Sequence, residues 1–246
     1  MFAFRTNSIV EATGPNNPTL WWEMDETSGN RIDSVEGVIM EPRNGDAGTG
    51  PGVGTGRINN AFKLLATNFI AEPAARIRNT ADFDLMAPSP SNSVSLAYWV
   101  YIDSAAIASM EFDFYRNLDY IGGMYMWVGN GTNQQYCYIE DFEKGYYEDF
   151  YITTNIKDSA WHLCVLIWDA SSGRLKLSID DGPFLDTQGG IPMLSGDEGQ
   201  LVFSRAVVTY EWRVDQVGYW RNRHLTRADI TWLYNNGNGR TYSDFS

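Results

Sequence analysis

The sequence predicts an all-β fold, a jelly-roll sandwich of two antiparallel sheets with one short helix near the C-terminus. Three observations carry this. Short runs of alternating polarity recur along the chain at the two-residue period of a strand. Turn residues separate these runs at the short intervals typical of sandwiches and jelly rolls. A single segment carries a complete helix-start signature.

In chain order, residues 1–18 end in Gly14-Pro15-Asn16-Asn17-Pro18 and read as an N-terminal arm ahead of one domain, 19–246. Residues 42–56 hold six glycines between Gly45 and Gly56 and read as a long loop. They contain no phosphate-loop spacing and no helix pattern follows. Val94, Leu96, Tyr98, Val100 and Ile102 share one strand face, and Ala97, Trp99 and Tyr101 the other. Such a strand belongs in the middle of a sheet, covered on both sides. Met124, Met126 and Val128 alternate with Tyr125 and Trp127. Leu163, Val165 and Ile167 alternate with Cys164, Leu166 and Trp168, and Leu175, Leu177 and Ile179 follow. Asp181-Gly182 is a two-residue hairpin signal. Thr226 caps the helix expected over 226–236, with Asp229 as an aspartate version of the capping box and Leu225 and Ile230 as a hydrophobic staple. Gly237 or Gly239 is the expected stop.

Composition narrows the function. Lysine and arginine number 18 against 31 aspartates and glutamates, a formal charge of −13. That balance repels phosphate backbones and speaks against nucleic-acid binding. No run approaches the ~18 apolar residues of a membrane span, and residues 1–14 lack the apolar core of a secretory signal. Synthesis in the cytoplasm without a signal peptide is the expectation. Cys137 and Cys164 read as a buried reduced pair, with a disulfide as the alternative for an exported protein. Two cysteines and two histidines do not make a zinc site at any family spacing.

Several segments resemble the concanavalin A-like, laminin-G-like jelly rolls. LWWEMDETSGNRIDS (Leu20 to Ser34) is similar to their first strand, and GRINNAF (Gly56 to Phe62) to their glycine-led second. SVSLAYWVYID (Ser93 to Asp103) and WHLCVLIWDASSGRLKLSIDDG (Trp161 to Gly182) resemble their Trp-Val and Trp-His strands. Val214 to Tyr242 resembles the closing strand and helix. The order is preserved over nearly the whole chain, and residues 104–160 match least. The resemblance implies two packed antiparallel sheets, one concave and one convex. It also implies a structural calcium on Asp215 of Val214-Asp215-Gln216-Val217, with Asp25 or Asp33 contributing. Pairing of Asp215 with an arginine or backbone amides is the alternative.

The same superfold hosts retaining glucanases, which need two carboxylates ~5 Å apart. Glu111-Phe112-Asp113 begins such a pattern, but Tyr115 and Arg116 stand where the last acid belongs. Glu23-Met24-Asp25 fails likewise at Thr27 and Ser28. His162 has no nucleophile elbow to complete a serine triad. Enzyme activity is therefore not expected.

The densest mixture of rings and acids is YCYIEDFEKGYYEDFY, Tyr136 to Tyr151. It reads either as a hairpin with a solvated acidic rim or as a binding tip turned at Lys144-Gly145. The expected ligand residues are Tyr146, Tyr147, Glu143 and Glu148, with a concave sheet around Trp99 and Trp127 as the other location. Three functions compete: a virion decoration or adhesion protein contacting other virion proteins, its own copies or a cell-surface glycan; a carbohydrate-binding module of a secreted protein; and a glucanase.

Overall fold

The computed structural model describes residues 15–43, 52–65, 74–78, 93–105, 110–117, 122–128, 135–187, 199–206 and 211–245. Among them the chain forms β1 (Leu20–Trp22), β2 (Arg31–Ile32), β3 (Ile39–Arg43), β4 (Gly52–Thr55), β5 (Asn60–Leu65), β6 (Ala74–Arg78), β7 (Val94–Ile102) and β8 (Met110–Asn117). It continues with β9 (Gly122–Val128), β10 (Gln135–Asp141), β11 (Tyr146–Tyr151), β12 (Trp161–Asp169), β13 (Arg174–Ile179), β14 (Leu185–Asp186), β15 (Gly199–Ala206) and β16 (Glu211–Arg221). One α-helix, α1 (Arg227–Tyr234), follows.

The strands make two antiparallel sheets of eight. The first runs β14-β13-β12-β7-β16-β5-β4, with β1 beside β16. The second runs β11-β10-β9-β8-β15-β6-β3-β2. The predicted fold class is the observed one. β7 lies between β12 and β16, as its two apolar faces require.

The main core fills the space between the sheets. Leu96, Tyr98 and Val100 of β7 and Cys164, Leu166 and Trp168 of β12 meet Met124 and Met126 of β9 and Cys137 and Ile139 of β10. Each such side chain contributes roughly 1.5–3 kcal/mol by leaving water. Cys137 and Cys164 stand in different sheets as buried free thiols, and burial pushes both well above the ordinary thiol pKa.

A second apolar cluster covers the far side of the first sheet. Ala97, Trp99, Leu163, Val165 and Ile167 pack there beneath Leu225, Ile230 and Leu233 of the helical segment. The helix begins as predicted: Asp229 N–H donates to the Thr226 hydroxyl, and Thr226 N–H donates to the Asp229 carboxylate at 2.8 Å. Its end differs. Asn235, at φ 48°, is the left-handed cap, ahead of either glycine. Asparagine tolerates this conformation, so a polar residue does what glycine was expected to do.

Three other expectations shift. Residues 52–55 of the glycine-rich segment are the strand β4, paired with β5, while 44–51 lie outside the described residues. The hairpin after β13 closes one residue early: Gly182 N–H donates to the Ile179 carbonyl at 2.9 Å, and Asp180 takes φ 54°. Of the expected arm, residues 1–14 lie outside the described residues. Pro15 and Pro18 are buried, and the Asn16 carbonyl accepts from Trp220 Nε1 at 3.0 Å, so residues 15–18 pack on the domain. Among the described residues no helix is long and apolar enough to cross a membrane.

Candidate ligand-binding face

The strands β9, β10 and β11 end the second sheet. Alternation sends Met124, Met126 and Val128 of β9 and Cys137 and Ile139 of β10 into the core. Tyr125, Trp127, Tyr136, Tyr138 and Glu140 therefore occupy the opposite face. On the edge strand β11, Tyr147, Asp149 and Tyr151 alternate outward, while Tyr146 and Phe150 pack against the core.

Antiparallel register then assembles rows across the strands. Trp127 pairs with Tyr136, and Tyr136 with Tyr151. Tyr125 pairs with Tyr138, and Tyr138 with Asp149. Gly123 pairs with Glu140, and Glu140 with Tyr147. Ring centroids lie 4.8 Å apart for Trp127 and Tyr136 and 6.3 Å apart for Tyr136 and Tyr151. Tyr138 stacks on Tyr125 at 4.7 Å and lies 5.9 Å from Tyr147. Tyr125 is buried beneath, Trp127, Tyr136 and Tyr138 are half-buried, and Tyr147 and Tyr151 are 54% and 66% exposed. The result is a ring-paved surface at one end of a sheet, of the kind that excludes water from the faces of a bound ligand.

Polar groups border the rings. The Tyr147 hydroxyl donates to the Asp149 carboxylate at 3.2 Å. Partial burial, with Asp149 alongside, pushes the Tyr147 phenol above its ordinary pKa. Burial and the Glu148 carboxylate do the same for Tyr146. Both phenols stay protonated at neutral pH. The turn beyond, residues 142–145, is closed by Lys144 N–H donating to the Asp141 carboxylate at 3.0 Å, and Gly145 takes φ 61° as the turn requires.

The structure divides the predicted ligand residues. Tyr147 lies on the face, and Trp127 belongs to its innermost row. Tyr146 points the other way, toward the core, and so does Glu148 by alternation. Glu143 is exposed in the turn. Trp99 is on the other sheet altogether, 2% exposed, stacked on Tyr234 at 5.8 Å with the Arg57 guanidinium 5.4 Å from its ring. Trp99 and Trp127 face outward from different sheets, so no one surface joins them, and Trp99 is further covered by Tyr234 of α1. Sequence reasoning named the segment but did not single out Tyr136, Tyr138 and Tyr151, which share this outer face. The alternation Tyr136-Cys137-Tyr138-Ile139 carries the signal, since a cysteine and an isoleucine facing the core put both tyrosines outside.

The predicted metal residues meet a different fate. Asp215 is fully buried beside a break in register of β16, and its Oδ2 accepts from Ile58 N–H at 2.8 Å. Further backbone amides, of Gln216 and Arg57, reach the same carboxylate. Gly56 permits this approach, because a Cβ there would sit 2.1 Å from the Asn60 carbonyl and 2.7 Å from Asp215 Oδ2. Asp25 accepts from Asn60 N–H at 2.9 Å and from Asn59 Nδ2 at 3.0 Å. Asp33 accepts from the backbone amides of Trp21, Glu36 and Gly37. All three carboxylates thus clasp backbone turns. Asp215 Oδ1 alone lacks a partner, and calcium takes six to eight oxygens. Among the described residues no three His, Cys, Asp or Glu side chains form a metal-binding group. Backbone amides donate to all three aspartates, and Asp25 lies close enough to Asp215 to help raise its pKa.

His162 is held between Asp180, 3.0 Å from Nδ1, and Asp158, 3.1 Å from Nε2. Both ring nitrogens are engaged with carboxylates, so neither serves a serine nucleophile.

No family model matches the sequence, and no curated protein matches it. Solved structures of the same architecture do. The receptor binding domain of botulinum neurotoxin D superposes with a TM-score of 0.62 at 15% identity, over 90% of this chain and 53% of that one. The serotype D ligand binding domain in complex with N-acetylneuraminic acid gives 0.60 at 14%, over 89% and 51%. The binding domain of botulinum neurotoxin DC in complex with rat synaptotagmin II gives 0.61 at 11%, over 89% and 51%. The chain spans about half the length of these structures. Identity this low establishes a shared fold alone, a β-sandwich of the jelly-roll type.

Proposed function

We propose that this chain is a non-catalytic recognition module of laminin-G-like type that binds a glycan on the outer face of β9, β10 and β11. The carrying observation is the row Trp127–Tyr136–Tyr151 with Tyr138 and Tyr147 beside it. Flat rings offer CH-rich sugar faces an apolar bed, and bordering carboxylates accept from sugar hydroxyls. Support comes from two of the similar structures, one a complex with N-acetylneuraminic acid and one a complex with rat synaptotagmin II. A glucanase reading has less behind it, since the second acid of the double displacement is missing from the sequence pattern.

A glycan array, probed with the whole chain and with Tyr147→Ala/Tyr151→Ala, tests this. Binding by the parent and its loss in a variant of unchanged melting temperature is expected; equal binding by both removes the face from the reading. The module acts in the same way on a virion surface or in a secreted protein. Antibody labelling of intact particles separates those settings.

A further inference from the structure

We infer that the face takes a linear, uncharged oligosaccharide laid across the strands along Trp127, Tyr136 and Tyr151, and selects against sialylated glycans. This rests on the glycan-binding reading above.

Direction comes from the register. The three rings stand on β9, β10 and β11, one per strand, so the row runs perpendicular to the strands. Their spacings, 4.8 and 6.3 Å, follow the ~4.8 Å separation of neighbouring strands. A chain of sugar units crossing the strands meets a new ring at each step. One unit covers one ring, so affinity grows with length until the row is filled.

Shape comes from the ring planes. Trp127 and Tyr136 are tilted by 38°, and Tyr136 and Tyr151 by 66°. Rings that turn from one to the next match a single free chain, whose units rotate about each linkage. They do not present one plane to the flat surface of a packed, crystalline polysaccharide.

Charge selection comes from the border. Glu140 and Asp149 lie on this face between the rings, with Asp149 held by the Tyr147 hydroxyl. The chain as a whole carries −13. Lys144, in the turn, lies 3.4 Å from Asp141, which offsets its charge. A ligand carboxylate placed over the rings meets like charge, which costs affinity. Sugar hydroxyls meet acceptors.

The test is an array carrying neutral linear oligosaccharides of one to six units, their sialylated counterparts and a suspension of crystalline cellulose as the flat control. The neutral series is expected to gain at least about tenfold in affinity from one unit to three or four, the worth of one interface anchor per added ring. Sialylated counterparts are expected to bind at least about fivefold more weakly. Asp149→Asn is expected to narrow that ratio, and Tyr151→Ala to shorten the length at which affinity levels off. Both residues are exposed, so both variants fold. Equal or tighter binding of sialylated glycans, no dependence on length, or preference for crystalline cellulose overturns the inference while leaving glycan binding intact. Silence across the whole array instead removes the function on which it rests.

Discussion

The hydroxyl of Tyr147 donates to the carboxylate of Asp149 two residues along the same strand, at 3.2 Å, on the solvent side of β11. Tyr146, one residue away, packs against the core. A single peptide step on an edge strand therefore separates an outward-facing ring from a core residue.

That separation has a measurable consequence. Tyr147→Ala and Tyr151→Ala remove exposed rings and are expected to change stability by less than about 1 kcal/mol. Trp99→Ala leaves a cavity under α1 and is expected to cost about 3–5 kcal/mol. Denaturant unfolding of the three variants checks this. A severe loss on Tyr147→Ala would place that ring in the core.

His162 is expected to make stability depend on pH. Burial pushes its pKa down, but its hydrogen bonds to Asp180 and Asp158 outweigh this and raise it above the ordinary value. A raised folded pKa stabilises fully below the unfolded value of about 6.5 and loses that stabilisation as pH rises through the folded value. His224, lowered by burial, works in the opposite sense. In a His224→Gln background the melting temperature is therefore expected to fall as pH rises above about 6.5. Adding His162→Gln is expected to flatten the curve. A curve that rises with pH in the first background contradicts the paired-histidine geometry.

Asp215 is expected to behave as a buried hydrogen-bond acceptor rather than a calcium ligand. Burial raises its pKa well above the ordinary value, opposed by the Ile58 amide, and the nearby Asp25 adds to the rise. A carboxylate raised in this way stabilises below its unfolded pKa and loses that contribution as pH rises through the folded one. Asp215→Asn keeps an acceptor for Ile58 and removes the buried titrating carboxyl. It is expected to melt at or above the parent temperature at pH 7, and the parent is expected to melt alike with calcium and with chelator. A parent stabilised by calcium reverses the assignment.

The sandwich was legible in the sequence because its core strands are buried on both faces. The alternations of β7 and β12 are unambiguous, and Thr226, Asp229 and Ile230 write out the helix start. The ring-bearing outer face of β9, β10 and β11 was legible only as a segment. Tyr146 and Tyr147 look alike in sequence, and one residue of register decides which faces water. The covering of Trp99 by Tyr234 joins residues 135 positions apart, and local pattern carries no information about such a contact. The clasp of Asp215 on the turn at residues 56–60 is similarly remote. Its clue was Gly56, whose missing Cβ the close approach requires.

The most direct test of a glycan-binding face on β9–β11 is a backbone amide shift map. The isotopically labelled protein is titrated with the neutral oligosaccharide that gives the strongest array signal. Perturbations centred on Trp127, Tyr136, Tyr138, Tyr147 and Tyr151 are expected, with little change at Trp99 or along α1. Perturbations gathered around Trp99 and the turn at residues 56–60, with the β9–β11 amides unmoved, would contradict the assignment.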